Sequence, residues 1–471
     1  DVTEAKALPG VVDIVQVDNR VAVLANTFWQ AKKARDRLNI QWDESGAFQQ
    51  SSQELFAHYH QLAESPGVIA KQEGDPNQAF QTADKVIEAS YECPFLSHAP
   101  MEPMNCVVQL QQDRAELWYG CQSQTHDQQT VAKVLGFEPP QVTINTLFSG
   151  GSFGRRLTND YVVEATRIAK AFGQSVPIKL VWTREDDTQG GYFRPMAVHT
   201  LKAGLDKEGN IVAWQHRIVG QSINQSLGYG ESTPDGSLME GAVDLPYQIP
   251  HLSIEQHIVD LPIPVLYWRS VAHSHTAFAK EAFIDELAAA SGQDPVAFRL
   301  KLLSKQAKHK RVLQVAAEKS HWDRPLAPGK VRGLALHESF HSVVAQVVEL
   351  SVTDNKPYQV DKVTCVIDCG LAVNPDVVVA QMEGGIGYGL SPTLLSEITF
   401  KQGKVEQSSF HNYPVVRMAQ MPDIEVHIVP SNESPTGVGE PGVPPIAPAV
   451  ANALLAATGV PRRRLPIDAN S

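Results

Sequence analysis

Nothing in the cysteine usage of this chain suggests a metal centre. Its five cysteines, Cys93, Cys106, Cys121, Cys365 and Cys369, form no Cys-x-x-Cys pair and match no zinc or iron–sulfur spacing. Any iron–sulfur relay serving the protein must therefore lie on another chain, and the odd count leaves at least one thiol unpaired within this one. Long apolar runs are also missing. The longest, such as 447 to 457 and 371 to 380, are short or broken by Pro and Asn, so no membrane-spanning helix is expected. Positive charge is scarce: a net charge of -12 argues against a nucleic-acid surface, and the only dense basic cluster, Arg462 to Arg464, is three residues long. No Gly-Lys-Ser/Thr follows a glycine loop and no Gly-x-Ser-x-Gly elbow occurs, so nucleotide hydrolysis and serine hydrolysis lack local support. The chain starts at Asp1 without Met or a signal peptide, which reads as a processed or truncated product or one piece of a larger one.

What is present describes an ordinary globular protein of about three domains, with 471 residues and 43% hydrophobic content. The most informative stretch is 437 to 459. Its second half reads as a helix, with Pro448 near the start and Gly459 past the end. Its first half sets three glycines and three prolines around one ionisable residue, Glu440. Glycines 437, 439 and 442 allow close backbone approach while Pro441, Pro444 and Pro445 stiffen the loop, so Glu440 is held rather than free. The plainer reading is a solvated Gly-Glu-Pro-Gly turn.

Taken in order, residues 1 to 46 form a small α+β module, with a strand Val21 to Ala25, a helix from about Trp29 to Leu38 and a strand-like Ile40 to Trp42. Residues 47 to 80 are polar and read as a connection. His98 and Glu102 are four apart, but intervening prolines forbid the helix that would align them as ligands, so the pair is given a structural role. A helix from about His126 stops at Gly136, and Asn159 or Asp160 caps another that runs to Gly173. Between them a strand from Val142 to Leu147 leads into Ser149-Gly150-Gly151-Ser152-Phe153-Gly154, which alone is weak evidence for a ligand cradle. The Gly- and Ser-rich stretch 220 to 245 is a long loop of the kind that borders sites. Tyr267-Trp268-Arg269-Ser270 precedes a helix from about Thr276 to Ser291 whose Glu281, Asp285 and Glu286 are expected to include solvated positions. A later helix from Pro375 presents Gln381 and glycines 384, 385, 387 and 389 for close packing against a neighbour or a cofactor.

Together these segments resemble the molybdenum-cofactor-binding large subunit of the xanthine oxidase family, in its isoquinoline 1-oxidoreductase β-subunit and membrane-associated aldehyde dehydrogenase branch. The resemblance rests on Leu8-Pro9-Gly10-Val11, His98 to Pro103, Gly150 to Gly154, Trp268-Arg269-Ser270, Asp368 to Pro375 with Gln381-Met382-Glu383-Gly384, and Gly437 to Pro441. It implies an α+β fold: an α/β hammerhead module over 1–48, a linker over 49–84, and two cofactor-binding domains over 85–305 and 306–471. It also implies that Glu440 is the general base and that no protein side chain ligates the metal. Gln122, Gly151, Phe153, Gly154, Arg269, Gln381, Gly437 and Gly439 would then contact the cofactor. The implied cofactor is the cytosine dinucleotide form of molybdopterin with molybdenum, and electrons would leave through a small [2Fe-2S] subunit and onward to a cytochrome c. The substrate would be a small molecule, an aldehyde or an N-heteroaromatic, with the bacterial periplasm or its face of the membrane as the location and the cytoplasm as the alternative. Two departures stand out. The branch's Met-Gly-Gln-Gly motif is missing, so either the N-terminal region that carries it is a separate or cleaved polypeptide or this chain alone does not hold the cofactor, and Leu157 stands where purine-hydroxylating relatives carry a Glu. The rival readings are a metal-free scaffold and a hydrolase built on Ser152.

Overall fold

The computed structural model describes residues 1–230, 233–353 and 356–467. Contacts gather the chain into two compact units that are not consecutive in sequence: residues 1–49 with 98–191, and residues 50–97 with 192–471.

The first unit is built on a four-stranded sheet in the order Val142–Thr146, Ala115–Tyr119, Asn105–Leu110, Ile178–Val181. Two helices cover it, Gln124–Leu135 and Asp160–Phe172. The second is clearly amphipathic and buries Tyr161, Val162, Ala165, Ile168 and Ala169. Both end where glycine adopts a left-handed conformation, at Gly136 and Gly173, as the sequence predicts. Of the two expected caps, Asn159 occupies the position but makes no side-chain capping bond; its amide donates instead to Thr130 Oγ1 on the other helix, at 3.0 Å. The hairpin Val11–Val17 with Arg20–Ala25 packs Val15 and Val17 against Ile168. A helix at Phe28–Arg35 follows, capped by Thr27. The expected strand at Ile40 to Trp42 does not form, and both residues lie exposed because no neighbouring strand offers them a ladder.

The second unit holds a five-stranded sheet in the order Val68–Glu73, Leu252–Ile258, Ile211–Gly220, Ala197–Leu205, Lys85–Cys93. It also holds a four-stranded sheet in the order Lys330–Ser339, Ser342–Thr353, Lys356–Asp368, Asp423–Ile428. The stretch 49–84, expected to be a linker, instead carries a helix Ser52–Ala63 with a Ser51/Glu54 capping box. It continues with the edge strand Val68–Glu73 and a helix Pro76–Thr82 opened by Asp75.

The helix His273–Ala290 is buried almost end to end, against strands of both sheets and against the C-terminal helix Ile446–Thr458. Its carboxylates are therefore not solvated, which corrects the expectation for Glu281, Asp285 and Glu286. Arg299 donates to Glu281 Oε2 at 3.0 Å and to Asp285, and Tyr247 donates to Glu281 Oε1 at 2.8 Å. Arg463 donates to Glu286 Oε1 at 3.0 Å. The partner of a buried carboxylate is thus a distant arginine that helical periodicity does not reveal.

The C-terminal helix lies on the strand Lys330–Ser339, where Gly333 permits an unusually close approach: a Cβ there would stand 2.1 Å from Ala453 N. The helix Pro375–Leu394 packs on the C-terminal helix and on the strand Asp423–Ile428. Added Cβ atoms at Gly385 and Gly389 would stand 3.0 Å from Gly442 Cα and 2.7 Å from Ile446 Cγ2, so its glycine face packs on the 442–446 segment.

Candidate functional site

Residues 437–445 enter the C-terminal helix as an irregular loop, gripped from three directions. The hairpin tip at Phe340 accepts a hydrogen bond from Gly437 N at 3.1 Å, and Ser342 Oγ donates to Gly437 O at 2.7 Å. Gln346 Nε2 donates to Gly442 O at 2.8 Å. The segment ahead of the long buried helix supplies the third grip: Arg269 Nε donates to Gly439 O at 2.8 Å, and Ser270 Oγ donates to Glu440 O at 2.8 Å.

Glu440 itself is half-buried, and its Oε1 accepts Ser270 N–H at 3.0 Å. Arg269 Nη2 also donates to Gln381 Oε1 at 3.1 Å. The Arg269 guanidinium lies 6.0 Å from the ring centre of Tyr388, which stacks on Trp268 with centroids 4.6 Å apart. Burial pulls the Arg269 pKa down from its ordinary value, against Tyr388 and Glu440, which favour the cation; a guanidinium remains charged under such a pull. Five expected site residues, Arg269, Gln381, Gly437, Gly439 and Glu440, are thus joined by direct contacts or chain neighbourhood within the second unit.

Sequence reasoning did not single out Glu240. Burial raises this carboxyl to about 7, with Asp244, Glu440 and Asp235 adding to the rise, and Oε2 is buried without a hydrogen-bond partner. Its backbone is fixed by Thr276 Oγ1, which donates to Glu240 O at 2.7 Å. A run of buried histidines was missed as well. His216 Nε2 is 2.9 Å from His199 Nδ1, and His199 Nε2 is 3.0 Å from His275 Nδ1; His273 Nδ1 is 2.9 Å from His337 Nε2. Burial pushes His216 and His273 down to about 3, so both are neutral. No local motif marks these residues.

The remaining expected residues, Gln122, Gly151, Phe153 and Gly154, lie together in the first unit. Ser152 Oγ bonds Gln122 Oε1, and Arg156 Nε donates to Gly151 O at 3.0 Å. Gly151, Phe153 and Gly154 are all left-handed, with φ of 95°, 57° and 105°. Glu102 clamps this loop: its Oε2 accepts Gly150 N–H at 2.6 Å and Arg156 Nη2 at 3.1 Å. That is the structural role assigned to Glu102 from the sequence. His98 is buried.

Among the described residues no group of three or more His, Cys, Asp or Glu side chains could hold a metal ion. In the second unit, the groups beside Gly439 include the Gln381 amide and the Arg269 guanidinium. A Cβ on Gly439 would face Gln381 Oε1 at 3.9 Å, beside the Arg269 guanidinium. Amide and guanidinium groups suit an anionic organic cofactor.

Comparison with known proteins agrees. The family described as molybdopterin cofactor-binding domain matches residues 59–303, and a second family of the same description matches 272–422. The chain belongs to the molybdenum-cofactor-binding large subunits of the xanthine oxidase family. It is 32% identical to the isoquinoline 1-oxidoreductase subunit beta of Brevundimonas diminuta, over 98% of this chain and 61% of that one. It is 28% identical to a membrane-bound aldehyde dehydrogenase [pyrroloquinoline-quinone] of Gluconacetobacter polyoxogenes, over 99% and 65%. The chain thus spans a little under two thirds of the length of these curated relatives. Quinoline 2-oxidoreductase from Pseudomonas putida 86 has the same fold, with a TM-score of 0.80 at 14% identity over 100% of this chain and 91% of that one. No helix among the described residues is long and apolar enough to cross a membrane.

Proposed function

We propose that the chain is a molybdenum hydroxylase large subunit, or its C-terminal portion, that oxidises an aldehyde or an N-heteroaromatic substrate with oxygen taken from water. The observation that carries this reading is the grip on Glu440: one carboxylate oxygen held by a backbone N–H, its peptide fixed, and a guanidinium bonded to the adjacent carbonyl. When bound, the cofactor, in its cytosine dinucleotide form, supplies the two-electron redox chemistry and the oxygen transfer. The residues assigned to contact it are Gln122, Gly151, Phe153, Gly154, Arg269, Gln381, Gly437 and Gly439.

Glu440 acts as general base, taking a proton at its carboxylate as oxygen is delivered to the electrophilic carbon. Arg269 fixes the carbonyl before the base and supplies positive charge beside it. Leu157, half-buried after the glycine loop, offers a purine no carboxylate, so purines are poor substrates. The five cysteines carry no cluster spacing, so electrons leave through a small [2Fe-2S] partner and then to a cytochrome c. The cofactor-binding portions are assigned to 85–305 and 306–471, after an opening module at 1–48. The complex works in the bacterial periplasm or on its face of the membrane.

Glu440→Gln in the native complex is the test. Turnover should fall by about two to four orders of magnitude, the usual worth of a positioned base, with molybdenum content unchanged. Retained turnover refutes the base assignment, loss of molybdenum makes Glu440 a structural residue, and a native complex that never contains molybdenum makes the chain a scaffold.

A further inference from the structure

Ser270 and Val271 are both left-handed, with φ of 78° and 47°. Neither residue is a glycine, and Val271 is β-branched, a type for which this conformation is an outlier. Strain of this kind persists only where the surroundings over-determine it. Here they do. Val271 N donates to Trp268 O at 2.6 Å, Ser274 Oγ donates to Val271 O at 2.7 Å, and the Trp268 indole donates to Ser97 O at 3.2 Å. The turn is thereby pinned at both ends, and Ser270 is fully buried at its apex.

The consequence falls on one side chain. Ser270 N–H points at Glu440 Oε1, 3.0 Å away, while Ser270 Oγ bonds the carbonyl of the same residue at 2.8 Å. Among the described residues no donor bonds Glu440 Oε2.

We propose that Ser270 is a positioning residue for Glu440, its left-handed backbone holding Oε1 by the N–H and the peptide by the hydroxyl, so that Oε2 is the oxygen left to take the proton. This rests on the reading of Glu440 as the base. Among the described residues only residue 270 bonds both the carboxylate and the main chain of residue 440, so it fixes the χ angles of that glutamate as well as the height of its loop. Arg269, by contrast, reaches Gly439 and Gln381.

The test uses the native complex with Ser270→Gly, which accepts the left-handed conformation without strain and retains the N–H but lacks the hydroxyl. Ser270→Ala, which also lacks the hydroxyl but keeps a Cβ, is measured beside it. Misplacing a catalytic group by a fraction of an ångström costs about tenfold or more in kcat. Both variants should lose about that, with KM and molybdenum content within about twofold of wild type. A second readout is independent of turnover: in metal-free protein, hydrogen exchange in the 437–443 peptide should quicken in Ser270→Gly. A third is coupling: Ser270→Gly added to Glu440→Gln should cost nothing further. Wild-type kcat and unchanged exchange in Ser270→Gly, with Glu440→Gln inactive, overturn the positioning role alone. So does a fall in molybdenum content with kcat per molybdenum intact, which would be a purely structural effect. An active Glu440→Gln enzyme overturns the base assignment, whatever Ser270 does.

Discussion

Replacing Gly333 by Ala sets two effects of opposite sign against each other. The residue lies mid-strand with no left-handed requirement, so the loss of backbone freedom in the unfolded chain would by itself favour Ala by about 0.5–1 kcal/mol. Sterics oppose it. The added methyl would lie 2.1 Å from Ala453 N and 2.5 Å from Ala449 O, where ordinary contact begins near 3.4 Å. Both atoms belong to the backbone of the C-terminal helix, so no rotamer change relieves the clash and the helix must retreat from the sheet. Overpacking of this sort costs about 3 kcal/mol, which exceeds the entropic gain. Gly459→Ala at the far end of the same helix is the control: with φ of 70° and open space around it, it should cost about 1 kcal/mol from the left-handed conformation alone. Urea unfolding of the three proteins measures the order. A Gly333→Ala protein as stable as wild type, or more stable than Gly459→Ala, would refute the packing argument. Because the helix begins just past Glu440, Gly333→Ala should lower kcat as well as stability.

Two further outcomes are expected. Arg299→Met leaves Glu281 and Asp285 buried without their cation and should cost about 3–5 kcal/mol in urea unfolding; a loss below about 1 kcal/mol would mean that water reaches the pair. Glu240, raised to about 7 by burial, keeps its proton in the folded chain at pH values where the unfolded chain has released it. Its contribution to stability is therefore present below the unfolded pKa of about 4.3 and is lost as pH rises through about 7. Glu240→Gln should match wild type at pH 4 and exceed it by about 1–2 kcal/mol at pH 8, a figure discounted for the side chain's partial exposure. A variant less stable than wild type at pH 8 would refute this.

The parts of the molecule legible in the sequence were those specified by near neighbours. Gly136 and Gly173 end their helices because a left-handed residue is cheapest as glycine, and the 437–459 loop and helix read directly from their glycines, prolines and alanines. The Ser51/Glu54 capping box was equally local, yet the polar composition around it hid two helices and a strand. What the sequence hid was set by distant partners. The Arg299 that neutralises Glu281 and Asp285 comes from the next helix, and Ile40 to Trp42 has strand composition but no strand to pair with. In the candidate site, Glu440, Arg269 and Gln381 carried motifs, whereas Glu240 lies in a loop without pattern and the left-handed turn at Ser270 has no glycine to announce it.

The alternation of the chain between its two units bears on how the protein can be made and cut. Residues 11–25 are synthesised well before the helix that covers Val15 and Val17, which is not available until 160–172 have followed. The opening hairpin must therefore wait with its apolar face uncovered, the situation in which a chaperone is most useful. Excision is equally constrained: a cleavage at residue 191 leaves the strands Val68–Glu73 and Lys85–Cys93 on one product and their sheet neighbours on the other, so the second unit cannot be produced by simple truncation.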